Sequence, residues 1–310
     1  KMKKNILLIL PSFEIGGTTI STRNLISVLD KEKYDITVWG LNEHGILRWM
    51  YNGIFCVKTC IIAQSLAISG WNKERNVFRK LLTALVRKLA YNSIIRDIFI
   101  KYSINRCLKN RVFDIVISCQ EGHTTSVVSQ IKANNKIAWV RCDYKEYFKN
   151  INFIKESFYN NYNHIVCVSE KTKEHFIEIY PEYKNKTVCI YNPQDSELIL
   201  SQSDINDNDT RFKLNNGKKV IISLGRLNRV KRFEQIPVIA RKLLDNGLDF
   251  IWYIVGDGEE RNIISDAIKQ YDVEDNVIML GAKSNPHFYI KRADLYVCLS
   301  STEACPRVVN

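Results

Sequence analysis

The sequence predicts an α/β protein with two domains, each built around a parallel sheet. Short apolar runs rich in β-branched residues alternate with segments whose apolar residues recur at helical spacing, as in parallel strands joined by helices. This alternation runs through both halves of the chain, and a polar stretch rich in Asn, Asp and Ser separates them. We therefore expect an N-terminal domain over 1–195, an exposed linker over 196–218 and a C-terminal domain over 219–310.

The bulk composition indicates a soluble, cytoplasmic protein with an anionic partner. Of the 310 residues, 45% are hydrophobic, and no apolar run approaches the roughly 18 residues needed to cross a bilayer. Nine cysteines are scattered without a Cys-x-x-Cys motif, which indicates reduced side chains. None of the five histidines has another ligand at metal-binding spacing, so we expect no metal and no cofactor. The net charge of +12 favours phosphorylated molecules, a membrane surface or nucleic acid as partner.

The expected strands and helices follow from these patterns. The N-terminal strands are expected at Asn5–Leu10, Tyr34–Leu41, Phe55–Ile61, Asp114–Cys119, Lys136–Arg141, His164–Ser169 and Val188–Tyr191. The C-terminal strand-loop units begin at Val220, Phe250, Val277 and Asp294. Helices are expected at Thr18–Asp30, Arg232–Asn246 and Glu259–Tyr271, among others. Gly256 and Gly258 are expected to serve the turn that leads into the last of these helices.

Two glycine-containing strand ends are candidate anion sites. Gly16 and Gly17 follow the first strand and precede a helix, where the backbone can approach a ligand and a helix N-terminus favours negative charge. Gly225 ends a later strand, and the cations Arg226 and Lys231 follow it. A fork of guanidinium donors beside an ammonium group suits a diphosphate without a metal. The two loops also fit a tight turn and an ordinary basic loop.

The order of motifs in the second half resembles the retaining glycosyltransferases of family 4, which have the GT-B fold. The matching segments are Gly225–Leu227 with Lys231, Val255–Gly258, Leu280–Gly281, Ala293–Leu295, and Ser300–Glu303 with Pro306. The resemblance implies two Rossmann-like domains whose parallel sheets face each other across a cleft that holds a nucleotide-diphosphate sugar. It also implies an incomplete C-terminal domain, because the second Glu of the family's Glu-x7-Glu motif would fall one position past Asn310. A fragment of a longer protein is favoured over a truncated, inactive version.

The same resemblance implies the site residues. Arg226 and Lys231 would neutralise the leaving diphosphate, and Glu303 would orient the donor sugar, so these three are the expected catalytic residues. The expected substrate-binding residues are Gly16, Gly17, His123, Arg141, Asp143, Gly225, Gly281, Ala304, Cys305 and Pro306. Ala304 and Cys305 replace the glycine and the aromatic residue usual in the family, which indicates an altered sugar pocket.

Arg141 stands where many family members carry a histidine. An arginine stays protonated in proteins and cannot act as a base. The leaving phosphate would then accept the proton of the acceptor, and His123 is an alternative base. The triplet Asp207-Asn208-Asp209 looks like the metal-binding motif of glycosyltransferases of the other major fold, but it follows no strand and is expected to be solvated.

A basic segment over 71–111 carries 11 Lys and Arg residues and two acidic ones, interleaved with apolar residues at helical spacing. This profile is typical of amphipathic helices on an anionic membrane, although solvated surface helices would look the same. We expect a peripheral position on the inner face of the plasma membrane and no binding to nucleic acid, because no recognised nucleic-acid motif is present.

Together these observations predict a retaining, metal-independent glycosyltransferase that moves a sugar, from a UDP-sugar by preference, to a glycan or lipid-linked acceptor. The resemblance implies a role in bacterial cell-surface polysaccharide synthesis, such as capsule or exopolysaccharide. Two alternatives remain open at this point. One is a catalytically silent, membrane-associated scaffold of a glycan-assembly complex, and the other is a GT-B nucleotide-sugar epimerase.

Overall fold

The structure, a computed structural model, describes residues 3–14, 16–67, 77–145, 157–212 and 217–302. Within these residues the chain divides into two compact units. The first unit extends to Gln194 and the second begins at Asp195. Glu303, Ala304, Cys305 and Pro306, expected to contact the donor sugar, lie outside the described residues, as do positions 71–76 of the basic segment.

The first unit is organised around a parallel sheet of seven strands. The strands are β1 (Lys4–Leu10), β2 (Tyr34–Gly40), β3 (Phe55–Cys56), β4 (Phe113–Ser118), β5 (Ala133–Val140), β6 (His164–Cys167) and β7 (Thr187–Cys189). They lie in the order β3-β2-β1-β4-β5-β6-β7, so the strand order reverses between β1 and β4. This reversal leaves a crevice at the carboxyl ends of β1 and β4, which is where open α/β sheets bind ligands.

Six helices of the first unit are described. They are α1 (Gly17–Val28), α2 (Ile61–Leu66), α3 (Val77–Leu89), α4 (Ser93–Leu108), α5 (His123–Ser129) and α6 (Glu170–Ile179). β1 shows that both faces of this sheet are covered. Every residue from Ile6 to Leu10 is buried, although their side chains alternate between the two faces. Alternate residues of β1 join two separate hydrophobic clusters, with Leu7 and Ile9 in one and Ile6, Leu8 and Leu10 in the other. A strand buried on both faces reads as a continuous apolar run, as Asn5–Leu10 does in the sequence.

The second unit repeats this plan around four strands. Its elements are α7 (Ser196–Asp204), β8 (Lys219–Leu224), α8 (Ile236–Asp245), β9 (Phe250–Val255), α9 (Arg261–Gln270), β10 (Val277–Gly281), α10 (His287–Lys291) and β11 (Leu295–Tyr296). The parallel order β10-β9-β8-β11 reverses between β8 and β11. Ile221 belongs to the cluster on one face of this sheet, and Val220 and Ile222 belong to the cluster on the other.

Three apolar runs contain clearly less strand than the sequence predicts. In the run Val188–Tyr191, only Val188 and Cys189 belong to β7. In the run Phe55–Ile61, only Phe55 and Cys56 pair with β2, and Ile61 begins α2. In the run that begins at Asp294, only Leu295 and Tyr296 pair with β8. Periodicity does not distinguish a short buried strand from the first turn of a buried helix, and it cannot show where an edge strand loses its partner.

The segment predicted as an exposed linker is ordered in part. Asp195 caps α7 by accepting a hydrogen bond from the backbone N–H of Leu198 at 3.0 Å. Further along, the side chain of Asp209 is only 8% exposed and forms ion pairs with Arg211 and Lys283, each at 2.6 Å. The sequence predicts a solvated Asp209, and this prediction is wrong. The side chain is buried because Arg211 and Lys283 both pair with it.

Among the described residues, no helix is both long enough and apolar enough to span a membrane.

Candidate functional site

In the first unit, the predicted glycine loop lies at the crevice between β1 and β4. Gly16 precedes α1 and Gly17 is its first residue. A Cβ atom added to Gly16 would meet no heavy atom within 4 Å, so the space beside this backbone is open. Thr18 donates a hydrogen bond from its hydroxyl to Oε1 of Gln120 at 3.2 Å, which links the start of α1 to the loop after β4. The glycine loop therefore occupies the position where this topology binds a ligand.

His123, at the start of α5, is a poor candidate for a base. Burial, together with the positive charge of Arg96, lowers the pKa of His123 to about 4. The imidazole is then neutral at pH 7, and its affinity for a proton is too low for efficient general-base catalysis.

Arg141 is engaged by atoms of the protein itself. Its Nε donates to the carbonyl oxygen of Cys119 at 2.7 Å, and Nη1 donates to Oδ1 of Asn192 at 2.7 Å and to the hydroxyl of Ser21. The guanidinium also stacks on the ring of Trp139, with its carbon 3.6 Å from the ring centroid. Arg141 thus ties β4, α1 and the end of the first unit together, a role that its position in the sequence does not reveal.

Asp143 lies just beyond the carboxyl end of β5, and its main partner is a histidine that the sequence does not indicate. Its Oδ1 lies 2.8 Å from Nδ1 of His175, which is on α6, and accepts the backbone N–H of Lys145 at 3.0 Å. The two side chains are 9% and 18% exposed. No local motif places Asp143 beside His175, because the contact joins residues 32 positions apart.

In the second unit, the two predicted cations follow β8 next to the strand-order reversal. Gly225 separates them from the strand, and a Cβ atom added there would lie 3.3 Å from Cε of Lys231. The lysine stem therefore passes directly over Gly225. Asn228 caps the short 3-10 turn Arg229–Lys231 by accepting the backbone N–H of Lys231 at 3.2 Å. Glycine at this position lets the Lys231 side chain fold back over the end of β8.

Arg226 is exposed and has one carboxylate partner. Its side chain is 71% exposed, and its guanidinium lies 3.2 Å from Oε2 of Glu259. An exposed pair of this kind contributes about 0–1 kcal/mol, so an incoming diphosphate can replace the carboxylate. Sequence reasoning missed Glu259. The available signal was its place just after β9, because the carboxyl ends of neighbouring parallel strands meet at one edge of the sheet.

Gly225, Gly256 and Gly281 link the carboxyl ends of β8, β9 and β10 through backbone hydrogen bonds. Gly225 donates its N–H to the carbonyl of Val255 at 3.0 Å, and Gly256 donates to the carbonyl of Gly281 at 2.9 Å. A Cβ atom on Gly256 would lie 1.8 Å from the oxygen of Gly225, and one on Gly258 would lie 2.3 Å from the oxygen of Leu227. Gly256 and Gly258 thus have the structural role expected of them. Gly281 has a φ of +78°, which favours glycine.

The described residues contain no group of three or more His, Cys, Asp or Glu side chains placed to hold a metal ion. Arg226 and Lys231, in the loop after β8, are the candidate anion-binding groups of the second unit.

Part of the chain is similar in sequence to known glycosyltransferases. Residues 204–310 match the family model described as glycosyl transferases group 1. The chain is 24% identical over 223 residues to an uncharacterized glycosyltransferase of Methanocaldococcus jannaschii, which covers 67% of this chain and 55% of the relative. It is 22% identical over 161 residues to the alpha-monoglucosyldiacylglycerol synthase of Streptococcus pneumoniae, which covers 49% of this chain and 36% of that enzyme. The chain thus spans about half or less of the length of these relatives.

Solved structures confirm the predicted fold. The structure of Anabaena HepE in complex with UDP-glucose matches with a TM-score of 0.65 at 14% identity, covering 99% of this chain and 77% of that one. At this identity the likeness concerns the fold and not the substrate. Residues 204–310 therefore match the glycosyl transferases group 1 family model, and the chain has the GT-B fold.

Proposed function

We propose that the chain belongs to a retaining, metal-independent glycosyltransferase that transfers a sugar from a UDP-sugar to a glycan or lipid-linked acceptor in cell-surface polysaccharide synthesis. One observation carries this proposal. Arg226 and Lys231 lie after β8, at the strand-order reversal of a unit that matches the glycosyl transferases group 1 family. UDP is the first nucleotide to test, because a structure with the same fold was solved in complex with UDP-glucose.

The two cations would act on the leaving group. As the bond between the anomeric carbon and the phosphate oxygen breaks, negative charge develops on the diphosphate, and fixed cations stabilise it without reorganisation. Arg226 supplies a planar fork of donors and Lys231 a compact charge. With no metal to share this task, losing either cation should reduce the rate by about 10²–10³-fold.

The proton of the acceptor hydroxyl would go to the leaving diphosphate. Arg141 cannot take it, because a guanidinium stays protonated and the protein already engages this one. His123 is a poor base, because its pKa is lowered to about 4. Attack on the face that the phosphate leaves retains the anomeric configuration, and Glu303 would orient the sugar. NMR of the product formed by the full-length protein checks retention.

Calorimetric titration with UDP and then GDP, in the presence of EDTA, tests the diphosphate clamp. We expect binding to persist with EDTA and to weaken by at least about tenfold in Arg226→Ala and in Lys231→Ala. Arg241→Ala and Lys242→Ala are matched controls, because both residues lie on α8 and not in the loop after β8. Both controls should bind like the unchanged chain.

Each other outcome has a definite meaning. Binding that EDTA abolishes would contradict the metal-free clamp. Binding that appears only when C-terminal residues of a longer protein are present would support the transferase and assign part of the nucleotide site to those residues. If neither form binds a nucleotide, the transferase proposal fails.

The helices α3 and α4 support a membrane partner. Each exposes large apolar side chains at helical spacing, namely Phe78, Leu81 and Leu85 on α3 and Ile94, Ile98 and Tyr102 on α4, all at least 50% exposed. The segment 77–111 carries nine Lys and Arg residues and one acidic residue. Apolar side chains among cations suit an anionic lipid surface. The apolar side chains insert between the headgroups, and the cations pair with the phosphates. An acceptor anchored in that membrane would then lie close to the enzyme.

Sedimentation with phosphatidylcholine vesicles, with and without phosphatidylglycerol, tests this surface. We expect binding only with the anionic lipid, weaker binding as salt increases, and at least about tenfold weaker partition for the double variant Leu81→Glu with Leu85→Glu. Leu248→Glu changes an exposed leucine of the second unit and should bind normally. Equal partition of all three proteins would exclude α3 as the membrane contact.

A further inference from the structure

Two cysteines that are distant in sequence meet where α2 begins and α4 ends. Cys60 immediately precedes α2, and Cys107 lies in the last turn of α4, 47 positions later. The backbone N–H of Cys60 donates a hydrogen bond to Sγ of Cys107 at 3.2 Å, and the two thiols hydrogen-bond to each other. The two side chains therefore lie next to each other, which is the first requirement for a disulfide between them.

The surroundings make the two thiols chemically unequal. The pKa of Cys60 is lowered, first by the hydrogen bond from Cys107 and then by the backbone N–H of Ala63 and the hydroxyl of Ser103. The pKa of Cys107 is raised, first by its hydrogen bond to Cys60 and then by burial. Cys60 is thus the member of the pair that more readily loses its proton.

Both cysteines are accessible and held on ordered backbone. Each is half-buried at the edge of a hydrophobic cluster of the first unit. The carbonyl of Cys60 accepts the N–H of Gln64 at 3.1 Å, and α4 ends in a left-handed cap at Lys109, directly after the buried Leu108. Neither cysteine is fully buried, and the two helix ends hold the side chains next to each other.

We propose that Cys60 and Cys107 form a thiol–disulfide redox site that takes small disulfides such as glutathione disulfide as oxidants. Closing the bond would join the start of α2 to the end of α4, the helix that exposes Ile94 and Ile98. The site lies in the first unit and does not depend on the proposed transferase activity.

The reaction balances with one equivalent of glutathione disulfide. The Cys60 thiolate attacks one sulfur of the oxidant, forms a mixed disulfide and releases glutathione. Cys107 then loses its proton and attacks the sulfur of Cys60, which forms the protein disulfide and releases the second glutathione. Two protein thiols are oxidised, and one disulfide is reduced to two thiols.

Incubation of the folded chain with glutathione disulfide, followed by peptide mapping without reductant, tests the site. We expect a cross-link between Cys60 and Cys107, the loss of two titratable thiols, and full recovery with dithiothreitol. In Cys107→Ser the second step is impossible, so glutathione should remain on Cys60. Cys56→Ser is the matched control, because Cys56 is also half-buried and near the same strand edge, and it should cross-link normally.

A second readout uses the unmodified chain and is independent of variant folding. Peptide-resolved alkylation between pH 6 and 8 should show a rate at Cys60 that rises less with pH than the rate at Cys56, because hydrogen bonds lower the pKa of Cys60. The rate at Cys56 should rise about 100-fold, because burial raises the pKa of that thiol above its ordinary value.

Three results would overturn the proposal. They are a persistent mixed disulfide at Cys60 in the unmodified chain, two thiols that stay reduced under oxidant, and an alkylation rate at Cys60 that follows the pH as the rate at Cys56 does.

Discussion

At the scale of single residues, the candidate donor site depends on glycines that allow backbones to touch. Gly256 has a φ of +148°, outside the range that other residues adopt readily, and its α-carbon faces the carbonyl oxygen of Gly225. That contact holds the end of β9 against the loop that carries Arg226. Both the positive φ and the contact with Gly225 require a glycine at position 256. This position is therefore one of the least replaceable in the second unit.

Gly256→Ala should therefore destabilise the second unit strongly. The added Cβ would lie 1.8 Å from the oxygen of Gly225, so backbone must move, and we expect the free energy of unfolding to fall by about 3 kcal/mol or more. Urea denaturation measures the loss. Gly247→Ala is the control, because Gly247 has a φ of +76° but open space around it, and it should cost only about 1 kcal/mol. Equal losses for both variants would show that the contact with Gly225 is unimportant.

At the scale of elements, an ion-pair cluster fastens the segment after α7 to the loop after β10. Asp209 lies between Arg211, whose guanidinium also donates to the carbonyls of Met279 and Leu280, and Lys283 of the loop. The cluster therefore holds this loop in place from the start of the second unit.

Asp209→Asn should remove this fastening in a pH-dependent way. Hydrogen bonds from Arg211 and then Lys283 hold the pKa of Asp209 well below its ordinary value of 3.8. Because the folded-state pKa is the lower one, the contribution to stability is complete above about pH 4 and is lost as the pH falls toward the folded-state pKa. We expect the variant to lose about 2–3 kcal/mol at pH 7, and the difference from the unchanged chain to shrink below about pH 4.

Urea denaturation at several pH values measures this difference. Asp245→Asn removes a carboxylate that is 60% exposed and paired with Arg241, and it should cost less than about 0.5 kcal/mol at any pH. A loss at Asp209 no greater than that control would mean that the cluster does not stabilise the loop.

At the scale of the whole molecule, each unit has its own sheet and its own pair of hydrophobic clusters. If the second unit holds the nucleotide, UDP at a hundredfold excess over its dissociation constant should stabilise that unit by about 2.7 kcal/mol. Scanning calorimetry should then show that UDP raises the melting transition that Gly256→Ala lowers. A rise confined to a different transition would move the nucleotide to the first unit.

Much of the fold follows from local sequence patterns. The apolar runs of β1, β8 and β9 predict buried strands, and helical spacing predicts α8 and α9, because residues near in sequence determine burial within one element. The glycine loops and the cations Arg226 and Lys231 are also visible locally, since a turn with these residues has few structural alternatives. The predicted GT-B fold is confirmed, whereas the roles of the site residues remain proposals.

The alternation of strands and helices, the glycines at the strand ends and the cations beside them can thus be read from the residue order. The strand orders, the pairing of Arg226 with Glu259, the enclosure of Asp209 and the contact of Cys60 with Cys107 are visible only in the folded chain. They join residues that are far apart in the sequence. Each of these features depends on which separate elements pack against each other. A local pattern of residues does not show which distant element will pack against it.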